Sequence, residues 1–379
     1  MKISQSLWTE EGGWANSPSN LADGDAILVI YFTSPGLMED GRLWRELRAR
    51  FPLACLLGCT TGGEILGEDV FDRSLVVSAV GFEATRIESA CETVAAGESS
   101  REVGLRLARA LPREGLRSVF VLSDGIGVNG TALVSGLTSE LGENVTVTGG
   151  LAGDGAAFKI TLVGCDAPPE PNRVAAVGFY GDAVQVGHGS FGGWDCFGPK
   201  RVVTRSEGNV LYELDGEPAL ELYRRYLGDE ACNLPGSALL FPLVVRAPDD
   251  ADSDVVRTVI GIDDAANSMT FAGDVPQGSQ AQLMRGNFDR LVDGAARAAE
   301  ATLTTGAGQT RLAILVSCIG RKLLMGQRIV EEVEVVAGAL GPEAAVVGFY
   351  SYGELSPHPV TGRCELHNQT MTVTVIAEA

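Results

Sequence analysis

Three times along the chain an apolar segment ends in serine, a helix-sized stretch follows, and a second apolar segment runs into a seven-residue turn closed by glycine and a carboxylate. The first copy runs from Ala26-Ile-Leu-Val-Ile-Tyr-Phe-Thr-Ser34 to Gly58-Cys-Thr-Thr-Gly-Gly-Glu64. The second runs from Ser118-Val-Phe-Val-Leu-Ser123 to Thr148-Gly-Gly-Leu-Ala-Gly-Asp154, and the third from Leu312-Ala-Ile-Leu-Val-Ser317 to Gly348-Phe-Tyr-Ser-Tyr-Gly-Glu354. A repeated β-α-β unit restricts the chain to the mixed α/β class, with helices packed on a sheet. The turns fall at strand ends, where open α/β sheets bind ligands, so the repeat predicts a pocket.

Length and charge limit what that pocket serves. At 379 residues the chain exceeds the size at which a single core stops growing, and two domains are expected. Its 49 acidic and 29 basic residues give a formal charge of -20, which repels phosphate backbones and anionic lipid; nucleic acid is excluded as a partner. No segment reaches the roughly 18 to 20 apolar residues of a membrane helix, and the N-terminus lacks the apolar core of a secretory signal. A cytoplasmic protein without membrane insertion is expected. The eight cysteines are scattered singly, without C-x-x-C pairs, as in a chain with reduced thiols.

Between the turns, strands are predicted over 74–81 and 86–94, and a helix over 99–111 behind a Ser-Ser-Arg-Glu start that suits an N-cap. From 158 to 205 four strands (158–163, 174–180, 184–191 and 200–205) suggest antiparallel sheet, with Cys165-Asp-Ala-Pro-Pro-Glu-Pro171 as a hairpin loop. A helix over 217–227 has Pro218 in its first turn. Strands over 238–246 and 255–262 flank an acidic run, 248–254, that lacks the glycine and distal glutamate of a calcium loop and reads as a solvated loop. Helices over 287–303 and 326–340 and a β-branched strand over 364–376 complete the chain.

Gly58-Cys-Thr-Thr-Gly-Gly-Glu-Ile65, Ser317-Cys-Ile-Gly-Arg321, Gly348-Phe-Tyr-Ser-Tyr-Gly-Glu-Leu355 and Leu366-His-Asn-Gln-Thr370, in that order, resemble the FIST family (F-box and intracellular signal transduction proteins). The resemblance implies an N-terminal extension at 1–24, a FIST N-terminal domain at 25–220 and a FIST C-terminal domain at 221–379. It also implies a non-enzymatic sensor of small ligands, amino acids among them. One branch comprises haem-binding nitric oxide sensors that regulate a histidine kinase. The match leaves no segment for an output domain, so the signal is expected to pass to a separate signalling protein.

The residues suit ligand binding. Glycines such as Gly62 and Gly153 permit close backbone approach, so that amides can point at a bound group. Glu64, Asp154 and Glu354 could accept from an ammonium, and Arg321 could pair with a carboxylate, which together suit an amino-acid-like zwitterion. The alternative is that each acid caps amides of its own turn. The candidate set adds Cys59, Thr60 and Thr61 in the first turn, Asp124 after the second repeat's strand, Ser317 and Cys318 in the third, and Tyr352. His367, Asn368 and Thr370 join it if the last strand lies beside the third turn.

The cofactor is open. If haem is bound, His367 is the favoured axial ligand over His188 and His358, with Cys59 behind them. An oxidoreductase reading rests on Gly125-Ile-Gly-Val-Asn-Gly130, a G-x-G-x-x-G after a strand, with Asp154 as the ribose contact; the same spacing recurs at Gly187 to Gly192, between strands, where no phosphate helix follows. Cys59, Ser123 and Cys318 stand at strand ends but lack a nucleophile elbow or an evident histidine partner.

Overall fold

The computed structural model describes residues 1–16, 21–234, 236–248 and 254–379, so most of the acidic run lies outside the described residues. Each repeat forms the middle of its own six-stranded sheet. Leu28–Thr33 pairs in parallel with Cys55–Thr60, Leu116–Ser123 with Thr146–Leu151, and Arg311–Cys318 with Ala344–Ser351. Parallel pairing is what a helical crossover dictates. Beyond the first strand of each pair lie two antiparallel strands: Ser74–Gly81 and Lys2–Thr9, Arg173–Tyr180 and Arg86–Thr93, and Met371–Glu378 and Val184–Phe191, with Gly13–Asn16 as a third in the first sheet.

The place beyond the second strand is filled by a neighbouring unit. The hairpin after the first turn, Glu64–Leu66 with Asp69–Phe71, pairs with Ala344–Ser351 of the third sheet. Val163–Cys165, after the second turn, pairs with Cys55–Thr60 of the first. The hairpin after the third turn, Gly353–Pro357 with Cys364–His367, pairs with Thr146–Leu151 of the second. The exchange closes a cycle, and the body has threefold pseudo-symmetry.

Strands buried on both faces read as continuous apolar runs, and Leu28–Thr33 and Arg311–Cys318 are buried at every position. Alternation still assigns their faces. Leu28, Ile30 and Phe32, Phe120 and Leu122, and Leu312, Ile314 and Val316 meet in one core shared by the three sheets. Val29 and Tyr31 point the other way, under Leu43 and Leu47 of helix Arg42–Arg50. Val119 and Val121 likewise share a core with Val103 and Leu107 of helix Ser100–Ala110 and Leu133 and Leu137 of helix Gly130–Leu141. Each such side chain contributes roughly 1.5–3 kcal/mol.

Between Val184–Phe191 and Arg311–Cys318 the segment 194–286 forms a fourth sheet, built round the 14-residue strand Trp194–Glu207. It packs helix Ala219–Leu227 over its own core of Val203, Leu211, Leu220, Tyr223, Met269 and Phe271. Among the described residues no helix is long and apolar enough to cross a membrane.

Ser74–Gly81, Val184–Phe191 and the helices at 100–110, 219–227, 288–300 and 329–340 lie where the sequence pattern puts them. The stretch 158–163 differs. It is loop up to Val163, because the Asp154 carboxylate takes the amides of Phe158, Lys159 and Ile160. The loop 165–171 joins strands of two different sheets, with only a bridge between Val163 and Glu170 across it. The segment 238–246 begins as the 3-10 turn Gly236–Leu240 before the strand Leu243–Arg246. The last run breaks at Gln369, whose φ of 64° ends one strand and sends the next into another sheet.

Gly149 lies inside the second parallel pair at φ 145°, where a Cβ would come 1.9 Å from the Val121 carbonyl oxygen. Gly149→Ala is therefore expected to cost about 3 kcal/mol or more, read as a lowered urea midpoint at unchanged slope.

Candidate functional site

The three turns meet on the pseudo-threefold axis and bond to one another in a ring. Gly62 N donates to Tyr350 O (2.8 Å), Tyr352 N to Leu151 O (3.2 Å) and Gly153 N to Thr60 O (2.9 Å). In every turn the donor lies two residues beyond the acceptor, which sets the alignment of the repeats. Glu64 and Glu354 then correspond to Gly155, and Asp154 stands one residue out of step.

Glu64 and Glu354 sit in matching nests. Glu64 accepts from Thr61 Oγ1 (2.5 Å), Ser34 Oγ (3.1 Å), and both the amide (3.2 Å) and the hydroxyl (2.7 Å) of Ser74. Glu354 accepts from Ser351 Oγ (2.7 Å) and from the amide (3.2 Å) and hydroxyl (3.0 Å) of Thr370. Both are wholly buried, and desolvation outweighs these donors, lifting Glu64 to about 7 and Glu354 to about 8. In the second unit Asp124, at the place of Ser34 and Cys318, supplies the acid instead. It accepts from Ile126 N (2.9 Å), Gly127 N (2.6 Å), Thr161 Oγ1 (2.9 Å) and Asn172 N (3.1 Å). Asp154 caps 158–160 and takes the Tyr352 hydroxyl.

Other candidates are equally engaged. Arg321 has no exposed surface, pairs with Glu332 at 2.7 Å and donates to Leu291 O, so its charge is matched inside the protein, where a ligand carboxylate would have to displace Glu332. Ser317 Oγ bonds the same Glu332 (2.8 Å). Cys59 and Cys318 are buried thiols, pushed up by burial. Thr60 Oγ1 accepts from Leu162 N. His367 lies opposite Glu354, with Nε2 3.0 Å from Ser356 O and its ring stacked on His358; burial lowers its pKa to about 4. Ligation of a haem iron through that nitrogen would have to displace the Ser356 carbonyl.

The motif 366–370 ties the fourth sheet to the body. Arg257 Nη1 donates to Leu366 O (2.9 Å), and Thr258 N to Asn368 Oδ1 (3.4 Å). Gln369 Nε2 donates to Leu239 O and Thr258 Oγ1 (both 3.0 Å), and Trp194 Nε1 donates to Gln369 O (3.0 Å). Gln369, which the motif contains but the candidate set omits, thus makes the most bonds of this latch. Glu332 is also missing from that set, although its place on the apolar stripe Ile329, Val333, Val336 of helix Ile329–Leu340 marks it as a buried acid in need of a cation.

Beside the ring, a cavity of about 290 Å³ opens between the body and the fourth sheet. The body supplies 125–129, Leu151, Phe158 and Tyr352; the fourth sheet supplies Asn209, Ile260, Phe271 and Ala272. Phe158 stacks on Tyr352 with centroids 4.4 Å apart. No lysine or arginine is among these lining residues. Four amides of the G-x-G-x-x-G loop are taken: Gly125 N donates to Thr161 Oγ1 (3.0 Å), Ile126 and Gly127 to Asp124, and Asn129 N to Ser100 Oγ (3.0 Å). Asn129 Oδ1 caps the helix behind it (3.0 Å). A phosphate would find an aspartate where it needs free donors. A larger cavity, about 940 Å³, lies farther along helix Gly130–Leu141, with His188, Arg257 and Cys364 in its walls.

The FIST N domain model matches residues 27–217 and the FIST C domain model residues 219–357. The chain belongs to the FIST family. No curated relative matches it. A solved cyanuric acid hydrolase from A. caulinodans is 12% identical over 78% of this chain and 99% of that one, with a TM-score of 0.17, too low a likeness to argue from. The FIST N and FIST C segments meet inside the fourth sheet, just before helix Ala219–Leu227, and the exchanged hairpins interlock them. FIST proteins are associated with signal transduction and small-ligand sensing, the role the chain shares at family level.

Glu64 and Glu354 hold protons that the unfolded chain releases above about pH 4.5, so stability should fall as pH rises from there to about 7 for Glu64 and about 8 for Glu354, on the order of 3 and 5 kcal/mol respectively. His367, depressed in the fold, acts oppositely: its contribution is present above about pH 6.5 and is lost towards pH 4. Urea melts across pH should flatten on the alkaline side in Glu64→Gln and Glu354→Gln. Arg321→Met leaves Glu332 buried without its cation and should cost roughly 3–5 kcal/mol in the same melts.

Proposed function

We propose that this protein is a cytoplasmic sensor that binds a small, uncharged, largely apolar ligand in the 290 Å³ cavity and relays its occupancy to a separate signalling protein, such as a histidine kinase. The observation that carries this reading is that the cavity wall is shared between the body and the fourth sheet. A ligand filling it touches both, and so favours one placement of the sheet over another, which is the differential binding a switch requires. The stacked Phe158–Tyr352 pair offers a face to a planar molecule, and Asn209 offers its amide group. An amino-acid-like zwitterion is the poorer fit, because the lining has no cation for its carboxylate. Non-enzymatic action accords with this lining, in which the nearby acids are committed to amides and hydroxyls.

A second reading is haem, with the axial ligand moved from His367 to His188. The observation in its favour is that His188, held neutral by burial, lies on the wall of the 940 Å³ cavity. Absorption of the purified protein in the haem region, lost in His188→Ala, would select it.

A thermal-shift screen of neutral aromatic metabolites, followed by native mass spectrometry, tests the first reading. A ligand at 100 times its Kd should add about 2.7 kcal/mol of stability. Ala272→Leu, which fills the cavity, should abolish that gain. A ligand whose stabilisation survives both Ala272→Leu and Phe271→Ala binds elsewhere, and the reading falls.

A further inference from the structure

Cys55 and Cys165 are 110 residues apart in sequence and neighbours in space. Cys55 opens the strand Cys55–Thr60, and Cys165 closes Val163–Cys165, the strand lent by the second unit. Cys165 pairs with Leu57, so the two-residue period puts Cys55 and Cys165 on the same face of the sheet. The two sulfurs and a carboxylate oxygen of Asp166 all lie within 4.8 Å of one another. Both thiols are half-buried while Asp166 is exposed, so the cluster has a lining and an entrance.

An ion about 2.3 Å from each of two thiolates spaces them roughly 3.8 to 4.6 Å apart, and a carboxylate oxygen at about 2.1 Å completes a facial trio. We propose that Cys55, Cys165 and Asp166 form a zinc site, with the fourth position left to Cys91 or water. Cys91 lies on Arg86–Thr93 of the facing sheet, close enough for the charge on Cys165 to act on it. Asp166 is oriented by Arg48 Nη2 (2.6 Å) and Leu56 N (2.9 Å), both bonded to Oδ1, which leaves Oδ2 for the ion. Such partners orient a ligand and tune its charge.

The acid–base balance suits a dication. The Cys55 thiol and the Ser89 hydroxyl both lie within hydrogen-bonding reach of the Cys165 sulfur, so the thiol pair already converges on one point. Both thiols bind as thiolates, so binding releases up to two protons to solvent. Two thiolates and a carboxylate, with Glu170, set against the Arg48 and Arg173 guanidiniums, leave a net negative charge that Zn²⁺ offsets. The bound ion would staple the exchanged strand to its host sheet and, through Cys91, the first sheet to the second.

Titration of the reduced full-length protein with Cd²⁺, a spectroscopic stand-in for Zn²⁺, should give one equivalent of ultraviolet thiolate-to-metal charge transfer. Cys55→Ser and Cys165→Ser should each weaken binding by at least about tenfold. Cys232→Ser, in the fourth sheet's domain, should bind as wild type. In wild-type protein, where folding is not in question, Zn²⁺ should slow iodoacetamide labelling of Cys55 and Cys165 but not of Cys232, read by peptide mass. Equal labelling of Cys55 and Cys165 with and without Zn²⁺, or one-to-one binding that persists in the Cys55→Ser/Cys165→Ser double variant, overturns the assignment.

Discussion

Everything in the body depends on three backbone hydrogen bonds, Gly62 to Tyr350, Tyr352 to Leu151 and Gly153 to Thr60, which close a ring among turns from three separate units. Buried amides and carbonyls at strand ends must be paired, and here each unit pairs those of the next. The ring needs close approach: a Cβ on Gly153 would lie 3.2 Å from both Gly62 N and Tyr350 O. Once the turns are locked, the segment leaving each one is aimed at a neighbouring sheet, and the exchange of hairpins follows.

Below the ring the polar residues of the motifs serve the fold. Hydroxyls and amides gather round Glu64 and Glu354, and Arg321 is neutralised by Glu332. The Arg321 charge is retained in the interior because Glu332 supplies its partner. The 290 Å³ cavity lies beside this polar layer, between the second and third turns and the inserted sheet. The motif 366–370 holds that sheet to the body through main-chain and amide bonds. A cavity and a latch on the same interface provide a physical basis for coupling occupancy to domain placement.

The elements were legible where the signal is local. Strand-like segments located Ser74–Gly81 and Val184–Phe191, and helical spacing located Ser100–Ala110, although Ser99 at its N-cap makes no side-chain cap bond. The site was less so. Asp154 has the same sequence spacing as Glu64 and Glu354, yet the ring aligns the second turn one residue later, and Asp124 takes up the acid's role from another strand end. Spacing counts residues, whereas equivalence is set by which amide meets which carbonyl. The G-x-G-x-x-G loop misleads for a related reason: its pattern does not show that Asp124 takes the amides of Ile126 and Gly127, or that Thr161, 36 positions downstream, takes that of Gly125. His367 has the chemistry of a metal ligand until Ser356 O occupies its ring nitrogen.

By itself the sequence determined three β-α-β repeats, the mixed α/β class and the glycine-bearing turns, because periodicity, capping and turn chemistry act over a few residues. Only the tertiary structure decided which sheet each hairpin joins, which acids are buried, where the cavity opens, and that Cys55 and Cys165 meet. Those outcomes rest on contacts between residues up to hundreds of positions apart, for which the chain carries no periodic signal and which exist only once the ring has closed.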